Sequence, residues 1–384
     1  MFVSPRYGTG ALADLLPSVL GVLGVAGESD RVGLGLDGVR RVAVLLIDGM
    51  GSELVASRRD VAPLLAAQPD RSLTAGFPST TVASLASLGT GLPSGEHGLV
   101  GYLLAVPDHD RLMNPLKWGL MGQGPKVDLL KELVPEQFQP STTAFERAAA
   151  DGVVVTQVAP TYQAGSGLTR AALRGGDFRP TFSSGDLVDG VLTALAAADR
   201  TLVYAYHGDL DMTGHVRGPH SESWALELQQ IDLTIRLIAE RLPAGSALIV
   251  TADHGMVHVA DPVDFDSTPA LQTGVRTLGG EPRARHVYAE PGAADDVAAA
   301  WRETLGADFT VLTRAEVTAA GWFGPTVREG VAPRIGDVVV VAGSDRAVIR
   351  AGAEPLQSNL IGHHGSLTPA EMLVPLYTFA ADGN

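Results

Sequence analysis

Three almost wholly apolar runs, each followed within a few residues by an aspartate, constrain this chain more than any other feature. Residues 41–47 (RVAVLLI) stop at Asp48-Gly49, residues 201–206 (TLVYAY) lead to Asp209 and Asp211, and residues 247–251 (ALIVT) lead to Asp253-His254. A strand with one wet face alternates polar and apolar side chains, whereas an unbroken apolar run suits a strand covered on both faces, as in a parallel sheet. Residues 153–158 (VVVTQV) are a fourth candidate. Helical patterns at residues 79–88, 141–150 and 221–242 lie between these runs. Strands alternating with helices predict an α/β fold with a doubly wound, mostly parallel sheet. In such sheets the ligand crevice lies beyond the carboxyl ends of the strands, so these aspartates are expected to meet on one rim.

Two segments break the alternation. Residues 102–140 carry Pro, Gly and Leu with weak periodicity and read as a possible cap beside the rim. Residues 282–351 read as a small α/β insertion, with strands near 286–289, 309–312, 338–341 and 347–350 and a helix near 293–305. The strand-like run 373–379 follows it, so residues 1–384 are read as a single catalytic domain carrying these additions. Residues 11–26 are apolar, but Asp14 and Pro17 interrupt them, and Leu12, Leu15, Leu16, Val19, Leu20 and Leu23 recur at helical spacing. An amphipathic helix lying on the core is expected there rather than an export signal. No other stretch has the length and apolarity of a membrane span, and a cytoplasmic location is expected.

A net charge of -15 argues against duplex nucleic acid or an anionic membrane as partner. A protein of that charge that handles phosphate must place positive charge locally, and metal ions do so. The absence of cysteine excludes thiolate sites and a cysteine nucleophile. Any metal is therefore held by carboxylates and imidazoles, a donor set suited to Zn2+, Mn2+ or Fe more than to Ca2+.

Five local patterns carry candidate chemistry. Asp48, at the end of a buried strand and flanked by glycines, suits a cation and equally a helix cap. In Phe77-Pro78-Ser79-Thr80-Thr81 the hydroxyls read as a helix start, where free N–H groups favour an anion and a threonine can attack phosphorus. Asp211 and His215, four apart in a Gly-bearing loop after a strand, can reach one ion; Asp209 offers a second register and His207 a supporting partner. Asp253-His254-Gly255 places two ligands at a strand end, where glycine permits the turn that lets both converge. Gly362-His363-His364-Gly365 reads as a metal loop or an exposed turn.

Taken in order, these words resemble the alkaline phosphatase superfamily, specifically its type I phosphodiesterase/nucleotide pyrophosphatase branch. That branch carries a strand ending in Asp, then Pro-x-x-Thr (Pro78-Ser79-Thr80-Thr81), Thr-Gly-Leu (Thr90-Gly91-Leu92) and His-Gly (His97-Gly98). It continues with Asp-x-x-Gly-His-x-x-Gly-Pro, which residues 211–219 match at every fixed position, then Asp253-His254-Gly255-Met256 and Gly-x-His-Gly at residues 362–365. The resemblance implies two divalent metals, Zn2+ or Mn2+: Asp211, His215 and His364 for one, and Asp48, Asp253 and His254 for the other. It implies Thr81 as the nucleophile at the open metal position, Thr81 over Thr80 and His364 over His363 by the family's register. One departure stands out. Many members have an asparagine after His-Gly that donates to a phosphoryl oxygen; this chain has Tyr102 there, which leaves Tyr102 or Asn114 for that role.

The resemblance also implies a metal-dependent phosphodiesterase acting on a small nucleotide. An actinobacterial subgroup acting on cyclic di-AMP, yielding linear dinucleotide and then AMP, is the nearest in character. Tyr102, Asn114 and Trp118 are the expected substrate-binding residues, with Tyr162 and Arg170 as further candidates. Nucleotide pyrophosphatase, phosphomonoesterase or phosphonate hydrolase, and phosphosugar mutase are the alternatives; the sequence is silent on oligomeric state.

Overall fold

The run at residues 41–47 becomes the strand β1 (Arg41–Ile47), and its lack of alternation is explained by its neighbours: from Val42 to Leu46 every side chain is fully buried. In this computed structural model, which describes residues 2–381, β1 lies inside a six-stranded sheet. The other members are β2 (Val154–Pro160), β3 (Asp177–Thr181), β4 (Thr201–His207), β5 (Ser246–Thr251) and, after the insertion, β10 (Tyr377–Ala380). Their order is β10-β5-β1-β4-β2-β3, parallel except for β10, which runs antiparallel to β5. Residues 1 and 382–384 of the expected 1–384 span lie outside the described residues.

Register sets up the rim. Ile47 pairs with His207 and Leu46 with Thr251, so Asp48, the segment after His207 and the segment after Thr251 leave the sheet at one level. Helices flank the sheet: α1 (Leu15–Val22), α2 (Thr81–Thr90), α3 (Ser184–Leu195), α4 (Asp209–Arg217) and α5 (Glu222–Ala239). Leu12, Leu15, Leu16, Val19 and Leu20 are fully buried, so the N-terminal apolar stripe packs on the core. Among the described residues no helix is long and apolar enough to cross a membrane.

The sequence did not announce β3, because Asp177-Phe178-Arg179-Pro180-Thr181 is mostly polar and holds a proline. Those are the marks of an edge strand, and β3 is one of the sheet's two edges, β10 the other. A second sheet, antiparallel throughout, is built from β6 (Val275–Glu281), β7 (Ala284–Ala289), β8 (Phe309–Thr313) and β9 (Val338–Ala342) in the order β6-β7-β9-β8. Its first strand lies ahead of the expected boundary at 282. Helix α6 (Ala294–Leu305) covers this sheet with Val297, Ala298, Trp301 and Leu305, forming a separate core. Leu103 and Leu112, from the segment after Gly101, pack on Tyr288 of β7, so that segment and the second sheet are joined.

Candidate metal centre

Asp48 and Asp253 leave adjacent parallel strands. The backbone N–H groups of Gly49 and His254 donate to Asp253 Oδ1 at 3.1 and 3.0 Å, while the Tyr206 hydroxyl donates to Asp48 Oδ2. These bonds leave Asp48 Oδ1 and Asp253 Oδ2 buried without a hydrogen-bond partner. His254 Nε2 lies 3.4 Å from each of those two oxygens.

The second group forms on α4. The expected loop at residues 211–215 is a helix: Asp209 and Asp211 occupy its first turn and His215 and Arg217 its last, an arrangement the helix dipole favours. Four residues apart, Asp211 and His215 share one face, with Asp211 Oδ2 3.2 Å from His215 Nε2. Gly214 is small for a reason of packing, since a Cβ there would sit 2.6 Å from Met256 Sδ, and Gly214 O in turn lies where a Cβ on Gly362 would be, 2.5 Å away. That close approach carries the Gly362-His363-His364 strand end onto α4. His364 Nε2 comes to 4.0 Å from Asp211 Oδ1, which is also buried and unpartnered. Gly49, at φ +73°, closes the gap between the groups, because a Cβ would lie 2.9 Å from Asp211 Cβ.

Each imidazole has its tautomer fixed by a backbone carbonyl, which can only accept. His215 Nδ1 is 2.7 Å from Gly362 O, His254 Nδ1 2.9 Å from Gly255 O and His364 Nδ1 2.8 Å from Ser79 O. Every Nδ1 is therefore a donor and every Nε2 is turned toward carboxylate oxygen, where its lone pair is available to an ion that displaces the proton. Three Nε2 atoms and three unpartnered carboxylate oxygens converge as Asp48–Asp253–His254 and Asp211–His215–His364, with the ligand atoms of each group within 4.8 Å of one another. Burial, then the charges of Asp253 and Asp211, hold the Asp48 carboxyl well above the usual range. Burial likewise lifts Asp253. Asp211 is itself buried, yet the facing His215, His364 and His254 hold it below its ordinary value. A carboxylate–imidazole set under such mutual repulsion suits a pair of divalent cations.

Thr81 opens α2 with Thr80 as its N-cap, and its Oγ1 lies 3.2 Å from His254 Nε2. It lines a cleft of about 300 Å³ together with Asp211, His215, Glu281, Tyr102 and His364. Asp209 is not brought in: its side chain is 81% exposed and, with Glu227, lies 3.9 Å from His207 Nε2 on the outer side. His363 spends Nε2 on Leu360 O at 3.1 Å.

The expected substrate-binding residues divide. Tyr102 lines the cleft. Asn114 is fully buried, its Oδ1 capping a turn through Leu116 N at 2.9 Å. Trp118 is not at the cleft: it is 3% exposed, packs edge-on against Phe138 and donates its indole N–H to Leu133 O at 2.8 Å. Its amphipathic ring was better served by the core than by the rim. Arg170 is engaged by Glu136 through two bonds of 2.8 Å, whereas Tyr162 lines a cavity beside Asp48 and Thr81. Two members were not anticipated. Tyr206 is a polar tip at the carboxyl end of a buried strand, a position that could have signalled it. Glu281 is 3% exposed; Oε2 accepts the Tyr102 N–H at 2.9 Å, Oε1 has no partner, and burial raises its carboxyl to about 8.

Comparison with known proteins gives this geometry a family. The chain superposes on murine ectonucleotide pyrophosphatase/phosphodiesterase 5 with a TM-score of 0.69 at 18% identity, covering 89% of this chain and 88% of that one. An inactive form of the same murine protein, in complex with AMP, superposes at 0.67 and 18% identity, with 88% and 87% covered. Rat ectonucleotide pyrophosphatase/phosphodiesterase family member 7 is 34% identical over 91 residues, 21% of this chain and 21% of that protein. The phosphopentomutase of Anaeromyxobacter sp. (strain K) is 30% identical over 184 residues, 47% and 44% of the two chains. The chain thus spans about a fifth of the length of the first of these relatives and under half of the second. The family model described as type I phosphodiesterase / nucleotide pyrophosphatase matches residues 42–367, from β1 to just past His364, and the chain belongs to that family.

Proposed function

We propose that this protein hydrolyses nucleotide phosphodiesters with Thr81 as nucleophile, and that its substrate is cyclic di-AMP, cleaved to the linear dinucleotide and then to AMP. The observation that carries the reading is the Thr81 hydroxyl, 3.2 Å from His254 Nε2 at the start of α2 and on the wall of two cavities, one lined also by Asp211, His215 and His364 and the other by Asp48 and Asp211. Asp48, Asp253 and His254 would hold one divalent cation and Asp211, His215 and His364 the other, with Zn2+ or Mn2+ matching the oxygen and nitrogen donors. Bound there, two such ions supply the positive charge that acidifies a hydroxyl and neutralises the oxygens of an in-line displacement at phosphorus.

The chain's own part is orientation. Thr81 gives its proton to water as its Oγ1 bonds to phosphorus and the bond to the leaving ribose oxygen breaks, that oxygen taking a proton from water; a second water later displaces Thr81 Oγ1 from the phosphothreonine, which restores the hydroxyl and releases the product phosphate ester. The free N–H groups of the first turn of α2 face the phosphoryl oxygens, as helix N-termini do. Tyr206 fixes which oxygen of Asp48 faces the cleft, and the three carbonyl–Nδ1 bonds hold the imidazoles in plane. Tyr102 stands where relatives place a phosphate-binding asparagine, and its phenol takes that role. A cytoplasmic location and a nucleotide partner belong to the same reading.

The phosphopentomutase likeness favours one second reading, a phosphosugar mutase, in which Thr81 would be phosphorylated at rest and no phosphate would be released. The test begins with bis-p-nitrophenyl phosphate against p-nitrophenyl phosphate in Zn2+ or Mn2+, followed by cyclic and linear dinucleotides with product identification. Diester cleavage exceeding monoester cleavage, and AMP from cyclic di-AMP, support the proposal. Thr81→Ala is expected to lose turnover by about a thousandfold or more while keeping its metal content; full activity in that variant overturns the nucleophile assignment.

A further inference from the structure

The cleft at the metal centre shares wall residues with two neighbouring cavities. Through Thr81, Leu116, Asp211 and Met212 it meets a cavity of about 240 Å³, and through Tyr102, Leu356 and Gln357 it meets another of about 350 Å³. The cavity beyond Tyr102 is thus larger than the cleft where the chemistry is assigned. Its walls are of two kinds. Met121 and Leu278 are apolar, and Leu356 stands at the junction 84% exposed, an aliphatic side chain left in water beside the cleft. Lys117 and Arg350 are cationic, and Lys117 has no ion-pair partner among the described residues. Arg350 approaches Asp266 and Glu354 only at 3.7 and 3.8 Å, which leaves its Nε buried with no hydrogen-bond partner. Of the two acids on the wall, Glu354 is held by Arg285 at 2.9 Å, which leaves Asp110 against Lys117, Arg111 and Arg350. Apolar walls with a few converging cations suit a flat heterocycle that carries an anionic group.

We infer that the cavity beyond Tyr102 is a subsite for the second nucleotide of a dinucleotide diester, its base against Tyr102, Met121 and Leu278 and its distal phosphate toward Lys117 and Arg350. The inference rests on the diesterase reading and adds to it the reason a two-base substrate is preferred: a mononucleotide ester with a small leaving group leaves this cavity unfilled.

The experiment compares kcat/KM on cyclic di-AMP and on bis-p-nitrophenyl phosphate for the metal-loaded full chain and two variants at an exposed position that lines this cavity but not the metal cleft, Lys117→Ala and Lys117→Glu. Lys131→Ala, whose ammonium is paired with Asp128 at 2.9 Å, controls for the change in net charge. The expected result is a loss of about tenfold or more on the dinucleotide, carried mainly by KM. The accompanying loss on bis-p-nitrophenyl phosphate should be at least about fivefold smaller, as a contact confined to the distal unit requires. Equal losses on both substrates, no loss in either variant, or a wild type that cleaves bis-p-nitrophenyl phosphate but no dinucleotide each overturn the subsite while sparing the diesterase reading. A wild type that cleaves no diester overturns that reading, and the subsite with it.

Discussion

His254 and His364 stack face to face, ring centroids 3.5 Å apart and 16° from parallel, although they belong to different ligand groups. Each ring is pinned at Nδ1 by a backbone carbonyl, that of the adjoining Gly255 for His254 and that of the distant Ser79 for His364. Two imidazolium ions at that spacing would repel. Burial, and after it the neighbouring His254, accordingly hold the His364 ring well below its ordinary pKa. The stack therefore couples the two groups mechanically while leaving both Nε2 atoms turned into the site, that of His254 toward Thr81 Oγ1.

Removing one ring should separate the two sites. His364→Ala deletes a ligand from the Asp211 group but leaves Asp48, Asp253 and His254 in place, so metal analysis is expected to fall from two ions per chain toward one. Loss of partners that merely orient a ligand costs about 10–100-fold in affinity or activity, so loss of the ligand itself should cost diester turnover at least about a hundredfold. Chelation of the wild type should abolish turnover, and added Zn2+ or Mn2+ should restore it. Two ions retained in His364→Ala would refute the grouping.

Tyr206 tests orientation without removing a candidate ligand. Its hydroxyl donates to Asp48 Oδ2, and its ring is buried at the end of β4. Tyr206→Phe keeps the ring and removes the donor, so the Asp48 carboxylate is free to rotate. The expected result is an affinity for the ion of the Asp48 group weakened about 10–100-fold, read by titration with a competing chelator, with little change in thermal stability. An unchanged affinity would mean that packing alone orients Asp48.

The strands that define the sheet were legible because burial on both faces leaves no polar positions: β1 runs over the same residues in sequence and structure. The residues that group as candidate ligands were legible because each follows such a strand or sits in a short glycine-flanked word. What was illegible depended on tertiary context. Gly214 made residues 211–215 look like a loop, when its smallness serves the contact between α4 and Gly362 inside a helix. Edge strand β3 has too little burial to leave a pattern. Glu281 follows Gly279-Gly280 in a run that gives no hint of its place at the cleft, which exists only because β6 lies against the Gly365 turn: a Cβ there would sit 2.5 Å from Glu281 Cγ. Trp118 shows the opposite error, an aromatic that suited a binding face by type and filled the core instead.

A pH-dependent stability follows from His97, in the His-Gly word after α2. Its Nε2 lies 3.1 Å from Ser87 Oγ and its Nδ1 accepts the Leu99 N–H at 3.1 Å, so the buried ring is neutral. Burial lowers its pKa to about 3. The unfolded chain, titrating near the ordinary value of about 6.5, binds the proton first. Stability from this residue is therefore complete above about pH 6.5 and is lost as pH falls toward the folded value, at about 1 kcal/mol per pH unit. His97→Gln should be less stable at neutral pH but lose less on acidification, so the melting temperatures of wild type and variant should converge between about pH 6.5 and 4. Parallel profiles would show that His97 titrates alike in both states.

The second sheet is tied to the body by an ion pair that no solvent reaches. Arg283, in the turn between β6 and β7, and Glu371 are both fully buried and joined by two bonds, Nε to Oε1 at 2.7 Å and Nη2 to Oε2 at 2.9 Å. Glu371 Oε1 also accepts the Ser366 N–H at 3.0 Å, two residues beyond His364. Truncating one partner strands a buried charge, so Glu371→Ala should cost about 3–5 kcal/mol of stability, read by chemical denaturation. Replacing both, as Arg283→Met with Glu371→Leu, removes the charges together and should recover part of that loss, because a buried pair roughly breaks even against apolar residues of similar size while the Ser366 and Thr368 donors to Glu371 stay unpaired. Turnover separates the two contributions. If Glu371 serves only as an anchor, the double variant recovers stability and activity together. If its bond to Ser366 also holds the His364 turn in place, the double variant refolds but keeps a weakened ion at Asp211, His215 and His364.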